Sequence, residues 1–194
     1  MPTVKSKAGR AAVFLDRDGT INVEKEYLHR SEEFEFIPGV PEAIRILKEA
    51  GYLVVVVTNQ SGVARGYYDE AAVHRLHRFV DRELATVGAS IDAYYLCPHH
   101  PHHGIGPYRT ECACRKPLPG MLLAAAEDLG IDLSRSWIVG DKGADVAAGL
   151  AAGCRPIMVR TGYGASEAGL VPPGVTVCDD LPAAARTILA HRRD

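Results

Sequence analysis

Six short apolar runs punctuate the chain, at 11–15, 53–57, 91–96, 136–139, 156–159 and 175–178. Several are continuous rather than alternating, which predicts parallel strands covered on both faces. Between them the apolar positions fall at helical spacing. The stretch 41–50 starts at Pro41 and has Gly51 just past its end, matching the usual placement of proline and glycine at helix termini. The stretch 69–87 lines up Val73, Leu76, Val80 and Leu84 on one face and stops at Gly88. Further helices are expected over 119–129, 144–152 and 181–192. Strand and helix alternating in this way predict an α/β fold, a doubly wound parallel sheet. The glycine- and proline-rich stretch 161–174 reads as a surface connection between the last two strands, although it leaves a strand at the ligand-binding end.

In such sheets ligands bind beyond the carboxyl ends of the strands, so the polar residues directly after each run matter most. Asp16 and Asp18 follow the first run, with Gly19 allowing a tight turn. Thr58, Asn59, Gln60 and Ser61 follow the second, and Asp141 and Lys142 the fourth, with Asp145 one turn later. Arg115 and Lys116 precede a proline between the third and fourth runs. Each group has a plainer reading. The acidic pair also suits a calcium loop, residues 58–62 an ordinary strand-to-helix turn, Lys116 a surface lysine, and Asp141 a helix cap. Taken together, in order and at one edge, they form a kit for phosphoryl transfer through a carboxylate. Asp16 is the expected nucleophile and Asp18 the proton donor and base. Thr58 and Lys116 would hold phosphoryl oxygens. Asp16, Asp18 (through its carbonyl) and Asp141 would bind Mg²⁺. Asn59, Gln60, Ser61, Arg115 and Lys142 are candidate substrate contacts.

Composition narrows the partners. A chain of 194 residues predicts one domain over 1–194. A net charge of −2 leaves no basic footprint for nucleic acid. No apolar stretch approaches the ~20 residues of a membrane span. The polar, basic start MPTVKSKAGR argues against a secretory signal, so a cytoplasmic protein, and a monomer, is the expectation. Cys97, Cys112 and Cys114 lie close together in a loop rich in histidine, whereas Cys154 and Cys178 stand alone as inert thiols. Three thiolates and one imidazole make a closed Zn²⁺ set of the structural kind. His99, His100, His102 and His103 compete for the imidazole position.

The segments DRDGT, TNQSG, the lysine of CRKP, and VGDKGAD resemble the four motifs of the haloacid dehalogenase superfamily of phosphatases. Within it the chain is similar to the heptose bisphosphate phosphatases, close relatives of the histidinol-phosphate phosphatases. The resemblance implies a haloacid dehalogenase-like (Rossmannoid) fold and Mg²⁺-dependent hydrolysis of a phosphorylated sugar through a phosphoaspartate. It implies the roles just given to Asp16, Asp18, Thr58, Lys116 and Asp141. It places Glu24, Lys25, Glu26 and Tyr27 beside the sugar and selects His99 to complete the zinc set with Cys97, Cys112 and Cys114. With about twenty residues between Thr20 and Pro41, no cap insertion is expected. The only elaboration is a zinc loop at about 97–116, which would tie down Arg115 and Lys116. Histidinol phosphate remains the second candidate substrate, and a phosphate-binding module without turnover the alternative class.

Overall fold

The computed structural model describes residues 9–191. Six strands form one parallel sheet: β1 (Ala12–Leu15), β2 (Leu53–Asn59), β3 (Ala93–Cys97), β4 (Trp137–Gly140), β5 (Arg155–Val159) and β6 (Thr176–Cys178). Their spatial order is β3-β2-β1-β4-β5-β6, so the chain reverses direction across the sheet between β1 and β4. That junction is where a doubly wound sheet opens a crevice. Leu15, the last residue of β1, pairs with Val56 on one side and Val139 on the other. The residues after β1, β2 and β4 therefore emerge side by side.

The helices are α1 (Val40–Glu49), α2 (Ser61–Ala64), α3 (Glu70–Ala85), α4 (Gly120–Leu129), α5 (Gly143–Ala152), α6 (Gly164–Glu167) and α7 (Leu181–Ala190). The strand period of two divides the core into two layers. Val13, Leu15, Val54, Val56 and Val139 pack with α1, α7 and the end of α3, while Phe14, Val55, Val57 and Ile138 pack with α4 and Ala148 of α5. Strands buried on both faces explain the unbroken apolar runs in the sequence.

Two short helices, α2 and α6, are too brief to leave a periodic signal. The expected last helix ends at Ala190, and position 192 lies outside the described residues, as does most of the amino-terminal segment MPTVKSKAGR. Cys154 and Cys178 are buried free thiols, as expected. Among the described residues, no helix is long and apolar enough to cross a membrane.

Candidate active site

A pocket of about 380 Å³ opens at the carboxyl ends of β1, β2 and β4. Its floor is ionic and almost dry. Asp16 is 6 % exposed, Lys116 4 % and Asp145 2 %; Asp141, within reach of Asp16 but not itself lining the pocket, is 0 % exposed. The Lys116 Nζ donates to Asp16 Oδ1 at 2.8 Å and to the Val57 carbonyl at 2.6 Å, and it pairs with Asp145 Oδ1 at 2.6 Å. Burial pulls the lysine's pKa down, but Asp145 and Asp16 outweigh it and hold it well above the usual range. Its main chain is fixed as well. Asn59 donates from Nδ2 to the Lys116 carbonyl at 3.0 Å and accepts the Lys116 N–H on Oδ1 at 3.1 Å.

Asp16, Asp141 and Asp145 bring carboxylate oxygens within 4.8 Å of one another. Three carboxylates against one ammonium leave a surplus of negative charge. Asp141 carries the strain: burial first, then Asp16, pushes its pKa up to about 8. Its Oδ1 is buried without a hydrogen-bond partner, while Oδ2 accepts the Tyr163 N–H at 2.8 Å. Asp145 is raised to about 6, chiefly by burial, although Lys116 opposes this. Its Oδ2 accepts the Lys142 N–H at 3.0 Å at the start of α5, so both its oxygens are engaged. An orphaned buried oxygen on Asp141, facing Asp16 in an over-acidic floor, fits a hard divalent cation.

Asp18 stands apart from this trio. Arg17, itself fully buried, donates from Nε at 3.2 Å and Nη2 at 2.9 Å, and Asn22 Nδ2 and Gln60 Nε2 add bonds at 3.1 Å each. Burial raises its pKa, but Arg17, Asn22 and Gln60 together hold it below the usual carboxylate value. Gln60 also donates to Thr58 Oγ1 at 2.9 Å, and Tyr68 Oη donates to Gln60 Oε1 at 2.8 Å. With an acceptor site thus filled, the Thr58 hydroxyl proton is free for a ligand.

Beyond β3, Cys97, His99, Cys112 and Cys114 also lie within 4.8 Å of one another. The Cys114–Cys97 and Cys114–Cys112 sulfur separations are 3.2 Å, Cys97–Cys112 is 3.5 Å, and His99 Nδ1 lies 3.6 Å from Cys114 and 3.9 Å from Cys97. The edges of a tetrahedron around zinc are about 3.8 Å for Zn–S bonds of ~2.3 Å, so the four groups are gathered as a zinc set requires, with the sulfurs standing somewhat closer together. His100 is occupied elsewhere: its Nδ1 accepts the N–H groups of His102 and His103. Arg115 Nη1 donates to the His99 carbonyl at 3.1 Å, tying the thiol cluster to the pocket wall.

A family model described as "HAD-hyrolase-like" matches residues 113–184. The D-glycero-beta-D-manno-heptose-1,7-bisphosphate 7-phosphatase of Vibrio cholerae is 50 % identical over 161 residues, 82 % of this chain and 87 % of that one. Its counterpart in Escherichia coli strain K12 is 50 % identical over 152 residues, 78 % and 80 % of the two chains. The crystal structure of D,D-heptose 1.7-bisphosphate phosphatase from B. bronchiseptica, complexed with magnesium and phosphate, superposes with a TM-score of 0.84 at 40 % identity, covering 93 % of this chain and 99 % of that one. The chain belongs to the heptose bisphosphate phosphatase family of HAD-like hydrolases.

Within this family fold, the sequence-predicted residues fall into three groups. Asp16, Asp18, Thr58, Lys116, Lys142, Glu24, Glu26, Tyr27, Ser61 and Arg115 all line the pocket. Asn59 and Gln60 also reach it, but their amides serve the protein: Asn59 clamps Lys116, and Gln60 links Thr58 to Asp18. Lys25 points away, paired with Glu35 Oε2 at 3.0 Å and the Glu33 carbonyl at 2.8 Å. The chain bends here, with Glu26 and Tyr27 at positive φ (45° and 54°) and the Glu26 N–H bonded to Glu24 Oε1 at 2.9 Å, so that Glu24 and Glu26 face the pocket and Lys25 does not. The side chain of Asp18 is taken up by Arg17, Asn22 and Gln60, leaving its main-chain carbonyl as the group a metal can use.

The stretch 161–174 is the main correction, because its first residues are part of the site rather than a mere connection. Thr161 Oγ1 donates to the Gly19 carbonyl at 2.6 Å, and Gly162 passes so close to Gly19 that a Cβ on either would strike Asp141 Oδ2. Both glycines have positive φ, +85° and +57°. Tyr163, Tyr68 and Arg17 went unnoticed in the sequence. For Arg17 a signal existed: an arginine held between two acids at a buried strand end must be paired. For Tyr163 there was none, since its bond to Asp141 is made by the main chain.

Proposed function

We propose that this protein is a Mg²⁺-dependent phosphatase that removes the 7-phosphate of D-glycero-β-D-manno-heptose 1,7-bisphosphate through a phosphoaspartate on Asp16. One observation carries the chemistry: Asp16, Lys116, Asp141 and Asp145 share a buried floor, with Thr58 and Asp18 beside it. The substrate follows from relatives near 50 % identity that bear that activity in their names. We read the chain as one catalytic domain, monomeric and cytoplasmic.

Asp16 has one oxygen held by Lys116 and uses the other to attack phosphorus. The bond to the sugar oxygen breaks as the aspartyl phosphate forms. Asp18 delivers a proton to the departing alkoxide. It is ionised in the free protein, so it takes up that proton as the substrate's negative charge arrives beside it. It then withdraws a proton from the water that attacks the aspartyl phosphate, and inorganic phosphate leaves with Asp16 restored. Thr58 and Lys116 donate to the equatorial phosphoryl oxygens, where charge develops. Magnesium held by Asp16, Asp141 and the Asp18 carbonyl would supply fixed positive charge at the same oxygens. Zinc on Cys97, His99, Cys112 and Cys114 would be structural, stiffening the loop that carries Arg115 and Lys116.

Initial rates with heptose bisphosphate and histidinol phosphate, measured side by side with Mg²⁺, test the reading. The expected result is a higher kcat/KM for the heptose. A reversed order replaces the substrate, and no phosphate release from either removes the activity.

A further inference from the structure

We infer that Tyr163 is a positioning residue that holds Lys142 across the pocket mouth, so that its ammonium meets the anionic end of the substrate away from the reacting phosphate. This rests on the bisphosphate reading above. Lys142 is a long, flexible side chain at the start of α5, and an unrestrained lysine would lose considerable rotamer freedom on binding a ligand. Here it is already confined. Its Nζ lies 4.4 Å from the centroid of the Tyr163 ring and 3.4 Å from Glu24 Oε2. All three residues line the pocket.

The two restraints act differently. Glu24 attracts the ammonium but also neutralises it, and competes with an incoming anion. The tyrosine ring attracts the cation through its quadrupole while leaving the full charge available. The ring can hold a position only if its backbone does not move, and that backbone is fixed. The Tyr163 N–H is bonded to Asp141 Oδ2 at 2.8 Å, and two residues earlier Thr161 is bonded to the Gly19 carbonyl. One short turn thus registers the far-end cation against the same carboxylate that faces the reacting phosphate.

The test compares kcat/KM for heptose bisphosphate with that for p-nitrophenyl phosphate, which lacks a second anionic group, in the full-length Mg²⁺-loaded protein. Tyr163→Ala should lower the ratio of the two constants about fivefold, the worth of one cation–π contact, through KM for the bisphosphate. Tyr163→Phe should restore the ratio. Lys142→Met should lower it at least as far, and adding Tyr163→Ala to Lys142→Met should lower it no further. Parallel losses with both substrates, an unchanged ratio, or additive losses in the double variant would overturn the inference. A parent enzyme that does not favour the bisphosphate would instead overturn the reading beneath it.

Discussion

The carboxylate floor gathers its members from the ends of two strands, the start of α5 and one loop, whereas the thiol cluster comes from the end of β3 and the loop that follows it. The floor is placed by sheet register and by two packed layers of valine, leucine and isoleucine. It is charged before any ligand arrives, and the excess is relieved by a proton on Asp141. The thiol cluster is the reverse. Burial pushes the Cys97 thiol up, so Cys97 stays protonated until a metal ion displaces its proton. Arg115, donating to the His99 carbonyl, and the Gln60 N–H, donating to the Cys97 carbonyl at 2.8 Å, link the cluster to the pocket wall. A site built by the core tolerates loss of its ion as an electrostatic cost. A site built by a loop depends on its ion for shape.

The sharpest way to break this comparison is Asp16→Asn. Turnover should fall by on the order of 10⁴ or more, while the melting temperature holds. Lys116 keeps Asp145 as a partner, and Asp141 loses a repulsive neighbour. Retained activity would remove Asp16 as the nucleophile. Lys116→Ala comes next, with kcat reduced by on the order of 10² or more. Here thermal melting should also drop, because a buried pair broken on one side costs about 3–5 kcal/mol. An unchanged kcat would reassign the lysine to structure.

Zinc removal should have a smaller effect, lowering kcat by roughly tenfold, as for lost support around a site. The Mg²⁺ concentration for half-activation should stay the same. Metal analysis followed by chelation checks this, and an unchanged rate would separate the loop from catalysis. The smallest effect concerns pH. Asp141 titrates near 8 in the folded, metal-free protein and near 3.8 when unfolded. Between those values the folded state holds the extra proton, so raising pH lowers stability across about pH 4 to 8. Magnesium competes with that proton. Its affinity by calorimetry should rise toward pH 8 and level off above it, and a flat profile would mean that Asp141 is not a ligand.

Much of this was legible in the sequence because buried parallel strands announce themselves as unbroken apolar runs, and the residues after them can face only one edge. Residue type was easier to read than direction. Asn59 and Gln60 were visible as polar residues at a strand end, but whether an amide turns to ligand or to Lys116 depends on a partner 57 positions away in the chain. Asp145 could be placed one turn into α5, yet its ion pair with Lys116 comes from a different loop. Tyr163 was hidden among glycines and a connection-like composition, its contribution to Asp141 being made by a backbone amide that any residue except proline possesses.

The passage of Gly162 against Gly19 divides the final loop into two parts with different freedom. As far as Glu167, whose Oε2 accepts the Gly143 N–H, the chain is fastened to the pocket and to α5. From Gly169 to Gly174 it is largely solvent-facing, with Leu170 82 % exposed. New segments spliced into that outer half could overhang the pocket and recruit other substrates, while the hydrolytic apparatus beneath would be left undisturbed.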